Sequence, residues 1–320
     1  MKKLLFCLLA LLPSLSFADD RLVIGAEGGK GVAIVDPAAN NKVLWKHKIG
    51  AVHDLHLLDN GNILTQDGWT KVIEIAPDQS IVWQYNSAKA NGNDGKKVEV
   101  HAFQRLADGS TMISESGVAR FIEVDSKGKL LKSMPMQVSK PHPHTNTRRV
   151  RKLDNGHYLV AHEGDQVVKE YDQDGKVVWE FKIPLFGKAP SGGHGSESWG
   201  GKVFSAIKLK NGNYLFATGN GHSVLEVTPE KKIVWHLKQN EIPGVTLAWV
   251  TGLQELDNGN FIIGNCHAGP DNPQIIEVNR DKKLIWKFQD FDTFGNSLAN
   301  VIVLDGEAAS KMRNQLKAGK

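Results

Sequence analysis

One pattern returns along this chain at a nearly fixed interval. Leu58-Asp59-Asn60-Gly61-Asn62 recurs, with variation, at Asp108-Gly109, Asn155-Gly156, Asn211-Gly212 and Asn258-Gly259, with a last echo at Asp305-Gly306. Successive glycines of the set are 48, 47, 56, 47 and 47 residues apart. Self-similarity at such a period is the signature of a repeat fold. A second marker follows each turn: an aliphatic pair and a tryptophan, at Trp45, Trp83, Trp179, Trp235 and Trp286, with Lys132 in that position in the third unit. Each unit reads as four short strands. In the second they are expected at His53–Leu58, Asn62–Gln66, Lys71–Ile75 and Ile81–Tyr85. The Asn-Gly pairs suit two-residue hairpin turns, which need positive φ. Four antiparallel strands in ~45 residues describe a propeller blade. The fold class is therefore all-β, a six-bladed β-propeller with four antiparallel strands per blade. The first unit holds only three strands (Arg21–Gly25, Val32–Asp36, Val43–His47), and the expected last strand, Leu298–Leu304, completes it. Residues 19–306 then form one propeller domain, and residues 307–320 a C-terminal tail, either a short polar helix or a frayed end.

Composition agrees. The chain has 32 glycines and 41% hydrophobic residues, enough for many tight turns and a core. Its formal charge is +4. No charge field of that size gathers nucleic acid without sequence preference, so that partner class is set aside. Residues 1–18 read as a signal peptide: Lys2 and Lys3, an apolar run from Leu4 to Leu15, and small residues before a cleavage point after Ala18. The expected location is periplasmic or secreted. No later segment is apolar enough for a membrane span. Cys266 is then the one remaining cysteine, so no internal disulfide is expected.

The spacing also distinguishes the two faces. From turn glycine to the next tryptophan position the distances are 22, 23, 23, 23 and 27; from there to the next glycine they are 16, 26, 24, 33, 24 and 20. The second set varies more, which places the long crossings on one face, where function tends to lie. Three tryptophans outside the repeat position, Trp69, Trp199 and Trp249, map to that face, as do His53, His101, His142, His144, His194, His222 and His267. The longest crossing, Ile183–Lys202, carries His194 and Trp199. His53 and His101 share a register, seven residues before Asn60 and Asp108. His144-Thr145-Asn146-Thr147 precedes the matching strand of the fourth blade, followed by Arg148 and Arg149, and Arg120 lies near the same rim. Imidazoles and guanidiniums converging on a channel suit an anionic ligand, a sulfate ester among them, and a neutral imidazole can act as base or nucleophile. No Cys/His spacing of a metal site is present and no carboxylate pairs with these histidines, so neither metal nor cofactor is expected. Cys266 and His267, adjacent on an extended loop, are expected to point apart. The recurring Glu74, Glu123, Glu170, Glu226 and Glu277 reads as architectural.

The repeat resembles those of bacterial propellers with pyrroloquinoline-quinone-like repeats, and is more similar to the periplasmic arylsulfate sulfotransferases. His53-Asp54-Leu55 ahead of Leu58-Asp59-Asn60-Gly61, and His144-Thr145-Asn146-Thr147, carry the resemblance. It implies a six-bladed propeller in which a histidine carries a sulfuryl group while other His and Arg residues hold the sulfate. His53 and His144 are the candidates for catalysis. His101, Asn146, Arg148, Arg120, Trp69, Trp199, Trp249, His194 and His267 are the candidates for ligand binding. Phe204 and Thr251 occupy the matching register of blades five and six, and His162 stands about where that family offers an arginine. The expected function is binding of a small anionic or aromatic ligand at the long-loop face. The alternative is a scaffold that holds a protein partner with the same face.

Overall fold

The computed structural model describes residues 20–319; the expected signal peptide lies outside them. Blade one holds β1 (Arg21–Glu27), β2 (Gly31–Asp36) and β3 (Lys42–His47), and blade two holds β4 (Leu55–Leu57), β5 (Ile63–Asp67), β6 (Lys71–Ile75) and β7 (Ile81–Asn86). Blade three comprises β8 (Glu99–Arg105), β9 (Thr111–Ser116), β10 (Arg120–Val124) and β11 (Leu130–Pro135). Blade four comprises β12 (Val150–Lys152), β13 (Tyr158–His162), β14 (Val167–Tyr171) and β15 (Val177–Lys182). Blade five comprises β16 (Ser205–Lys208), β17 (Tyr214–Ala217), β18 (Val224–Val227) and β19 (Ile233–Leu237). Blade six comprises β20 (Trp249–Glu255), β21 (Phe261–Cys266), β22 (Ile275–Val278) and β23 (Leu284–Phe288). After a short helix α1 (Phe291–Phe294), β24 (Asn300–Asp305) returns to blade one, and α2 (Gly306–Ala318) ends the chain.

The strands form six four-stranded sheets, one with the order β24-β1-β2-β3. The C-terminal strand thus closes the ring, pairing from Arg21↔Asp305 to Ala26↔Asn300. Closure pairs the inner edge of β1, which the three N-terminal strands alone would leave open. Helix α2 is packed: Ala309, Met312 and Leu316 are buried against blades one and two, and Arg313 pairs with Asp36 at 3.1 Å.

The hairpins differ from the two-residue turns expected. Leu58 N–H donates to Asn62, and Gly61 N–H donates to Leu58 at 2.8 Å, so three residues form the loop. Gly61 alone takes positive φ (86°), while the Asn60 carboxamide accepts from Asn62 N–H at 3.0 Å. This is a type I turn closed by a left-handed glycine, the commonest three-residue hairpin. The same bonds recur at Gly109, Gly156, Gly212 and Gly259.

The recurring glutamates tie each blade to the next. Glu74 accepts from Arg105 (2.6 Å), Glu123 from Lys152 (2.5 Å), Glu170 from the Tyr214 hydroxyl (2.7 Å) and Glu226 from Arg280, while Glu277 pairs with Arg21 (2.6 Å) across the closure. The repeat tryptophans act alike. The indole N–H groups of Trp45, Trp83, Trp179 and Trp235 donate to Pro77, Ser126, Pro229 and Arg280 carbonyls, each in the next blade. An apolar body with one donor at its tip both fills a blade interface and pins its register.

Candidate functional site

Counting seven residues back from each turn Asn or Asp gives His53, His101, Arg148, Phe204 and Thr251, at the mouths of inner strands two to six. Arg148, rather than His144, is the fourth blade's register mate of the two histidines. His101 is further set apart by a bulge: Val100 pairs with Glu115 and Ala102 with Ser114, leaving His101 as the extra residue. Blade six is bulged at the same place, between Val250 and Leu253, around Thr251. Such bulges re-aim side chains at a sheet's end.

These mouths line a cavity of about 470 Å³. One wall, from blades two to four, presents His53, Trp69, His144 and Arg148. The other presents Phe204, Trp249, Thr251, Cys266 and His267, with His194 reaching in from the long crossing. The structure thus gathers seven of the expected residues around one space, with buried His101 directly behind His53, their rings stacked at 4.4 Å. Trp69 packs on His53 and His144 at 5.1 and 5.3 Å. Three expected residues lie away from it. Arg120 pairs with Glu115 (2.6 Å) and Asn93 (2.9 Å). Asn146 accepts from His142 N–H (2.6 Å), bracing the loop that carries His144. Trp199 sits under Lys188 (4.0 Å) and donates to Leu185 O (3.3 Å) within its own crossing.

Hydrogen bonding assigns the protons. Arg148 only donates, and its Nη1 lies 3.0 Å from His101 Nδ1 and 3.3 Å from His53 Nε2, so both ring nitrogens accept. His101 then carries its proton on Nε2 and donates to Glu99 Oε2 at 2.8 Å. The same carboxylate oxygen accepts from His144 Nδ1 at 2.8 Å, so the neutral tautomer of His144 that this bond selects has its lone pair on Nε2. His53 carries its proton on Nδ1, which is buried and meets no acceptor among the described residues. Burial first, then the neighbouring imidazole and the Arg148 charge, hold His53 well below the usual imidazole range; burial and Arg148 do the same to His101. The Arg148 charge is itself matched by Glu163, bonded to its Nε.

Glu99 is the carboxylate that the sequence reading lacked. Its signal was the spacing Glu99-Val100-His101 at one strand mouth, where the bulge at His101 brings the two side chains together. Ligand atoms of Glu99, His101 and His144 lie within 4.8 Å of one another, a donor set that suits zinc. The surroundings suit it less. A metal on His101 Nε2 would put the proton on Nδ1, against the Arg148 N–H. Metal-bound imidazoles are normally backed by an acceptor. The residues therefore fit a hydrogen-bonded chain, Arg148 to His101 to Glu99 and from His144 to Glu99, better than a metal centre.

On the opposite wall one expectation is corrected. Cys266 Sγ and His267 Nδ1 do not point apart; they lie 2.8 Å from each other. His267 takes φ 59°, a left-handed conformation that turns its ring back over the preceding residue. Burial, followed by the nearby Glu27 charge, pushes the Cys266 thiol up, so it is protonated at neutral pH and no resting nucleophile. His194 stacks on Trp249 (4.7 Å) and His267 (5.3 Å). His162 and His222 are buried in structural bonds, His162 with Asn146 O (2.7 Å) and the Tyr171 hydroxyl (2.8 Å), His222 with Ala248 O and Ser198 O.

The family description Mal s 1 allergenic protein-like matches residues 35–272, and the chain belongs to that family. No curated protein matches it. Among solved structures it is similar to a Bacteroides caccae protein of unknown function, with 24% identity over 89% of this chain and 98% of that one, at a TM-score of 0.72. It is also similar to a streptogramin B lyase (9% identity, 90% and 94% coverage, TM-score 0.57) and to virginiamycin B lyase from Staphylococcus aureus (12% identity, 75% and 70% coverage, TM-score 0.51). At these identities the likeness is one of fold.

Proposed function

We propose that this member of the Mal s 1 allergenic protein-like family is a periplasmic or secreted propeller that binds a small aromatic ligand in its long-loop cavity. The observation that carries the reading is the cavity's composition. Trp69, Trp249, Phe204 and the imidazoles offer ring faces, and three residues that line it carry a buried polar atom without a partner among the described residues: the donors His53 Nδ1 and the Thr251 hydroxyl, and the acceptor Glu27 Oε2. Stacking favours a flat ring of the ligand, and the two unsatisfied donors favour an acceptor on it, because a buried donor left unpaired is costly. Charge plays a smaller part. Glu163 offsets Arg148, and Glu99 adds a negative charge beside it. A sulfate ester fits through the donors, while the cavity has little net positive field to attract it. His144, oriented by Glu99 through Nδ1 so that its neutral form offers Nε2, meets the requirement for a group-transfer nucleophile of the arylsulfotransferase type. Export is supported by the signal-like residues 1–18 and by a single, buried cysteine among the described residues.

Calorimetric titration with 4-nitrophenyl sulfate and 4-nitrophenol tests this. We expect saturable binding of at least one, weakened tenfold or more in the His53→Ala/His144→Ala protein. One charge-assisted bond is worth ~1.5–3 kcal/mol, and a decade of affinity ~1.4 kcal/mol. Absence of heat for both at millimolar concentration overturns the reading and leaves the scaffold, with Trp69 (43% exposed) as part of its contact surface.

A further inference from the structure

Below the cavity, the channel holds a charge imbalance. Asp54 is fully buried and accepts from Arg151 twice (2.7 and 2.8 Å), from His56 (3.3 Å), and from the backbone N–H groups of Leu55 (3.0 Å) and Phe103 (3.3 Å). A carboxylate offers about four lone-pair sites, so Asp54 is saturated. Arg149, only 6% exposed, reaches it no closer than 3.8 Å, and Asp54 is the only carboxylate paired with either guanidinium among the described residues. Two arginines therefore face one aspartate. Burial and the Arg151 charge hold His56 below its usual range, so it stays neutral and leaves that imbalance as it is.

Arg149 also has donors to spare. Its Nη2 donates to Asn300 Oδ1 at 3.2 Å, but its Nε–H and the Asn300 Nδ2 group are buried and meet no acceptor among the described residues. Ser205, six residues before its turn asparagine as Arg149 is before Asn155, adds a third buried polar group, a hydroxyl, without a partner among the described residues. A buried charge is tolerated when paired and hydrogen-bonded, and this one is neither fully paired nor fully bonded.

We infer that the channel binds one small monovalent anion of the halide class beside Arg149, held by the guanidinium Nε–H and the Asn300 carboxamide. The ion neutralises the excess positive charge and supplies the missing acceptor. It is distinct from the ligand of the upper cavity, whose lining does not include Arg149 or Asn300.

Crystals of the wild-type chain grown in sodium bromide test it directly: an anomalous peak is expected within hydrogen-bond reach of Arg149 Nε and Asn300 Nδ2. In parallel, thermal unfolding at constant ionic strength, with chloride replacing gluconate, should show a saturable rise in Tm of about 2 °C or more. The Arg149→Met protein should lose the chloride dependence. If that variant fails to fold, the bromide map of the wild type decides alone. A map without bromide in the channel, or a Tm that follows ionic strength irrespective of the anion, overturns the inference.

Discussion

The outer parts of the six blades repeat one another, and the inner mouths do not. On the third strands, glutamate recurs at 74, 123, 170, 226 and 277, and each instance ties its blade to the next. At the inner mouths the shared register holds His53, His101, Arg148, Phe204 and Thr251, five positions with four chemistries. The difference has a geometric origin. Blades two to six each meet the next blade through the same third-strand position, so one residue type serves five of the six interfaces, and only blade one, with Ile34 there, departs. A ligand near the axis occupies one place, and the groups around it must differ if they are to hold its different sides. Repetition therefore marks structure in this molecule, and broken repetition marks the candidate site.

The comparison breaks most severely if the frame is opened. Deleting residues 298–320 removes β24 and α2 and exposes the inner edge of β1. We expect Tm to fall by more than ~10 °C, or the cooperative transition to disappear, in scanning calorimetry; at ~2–4 °C per kcal/mol this is a loss of several kcal/mol. An unchanged midpoint would show that closure contributes nothing. A single frame tie should cost less. Arg21 and Glu277 are a buried pair across the closure (5% and 1% exposed). Removing one partner of such a pair costs roughly 3–5 kcal/mol, so Glu277→Ala should lower stability by about that amount in urea titration.

Acid offers a third test, with the sign set by the buried histidines. His162 is held at about 4, by burial above all, and His53 and His101 are shifted in the same direction. The unfolded chain, with imidazoles near ~6.5, takes up these protons first. The contribution is therefore complete above pH ~6.5 and is lost as pH falls toward 4, worth roughly 3 kcal/mol for His162 alone. Urea titrations between pH 7 and 4 should show that slope, and His162→Gln should flatten part of it. The smallest stability effect is expected at the mouth. His144, partly exposed and anchored by one carboxylate, should cost less than ~1 kcal/mol as His144→Ala. A loss as large as that of Glu277→Ala would mean that mouth and frame are not separate in energy.

Blade count and closure were legible in the sequence, because turn glycines and interface tryptophans must return once per blade. Arg148 was legible too, by counting seven residues back from Asn155. Glu99 was missed because it meets His101 through a bulge that the sequence does not announce. The Cys266–His267 contact could not be read, since it depends on a left-handed φ at a non-glycine residue. Nor could the withdrawal of Arg120, Asn146 and Trp199 into local bonds, because loop residues near a rim have many partners and sequence spacing ranks none of them. The hairpin turn was misjudged by one residue, as Asn-Gly serves a type I turn with a left-handed glycine as readily as a two-residue turn.

The most direct measurement is a crystal structure of the protein soaked with 4-bromophenyl sulfate and, separately, 4-bromophenol. Bromine should appear in the long-loop cavity between the Trp69 and Trp249 walls, with an oxygen of the ligand in hydrogen-bond contact with His53 Nδ1. Bromine found only on the outer surface, with the cavity unchanged at millimolar ligand, would contradict a small-molecule site at the propeller's mouth.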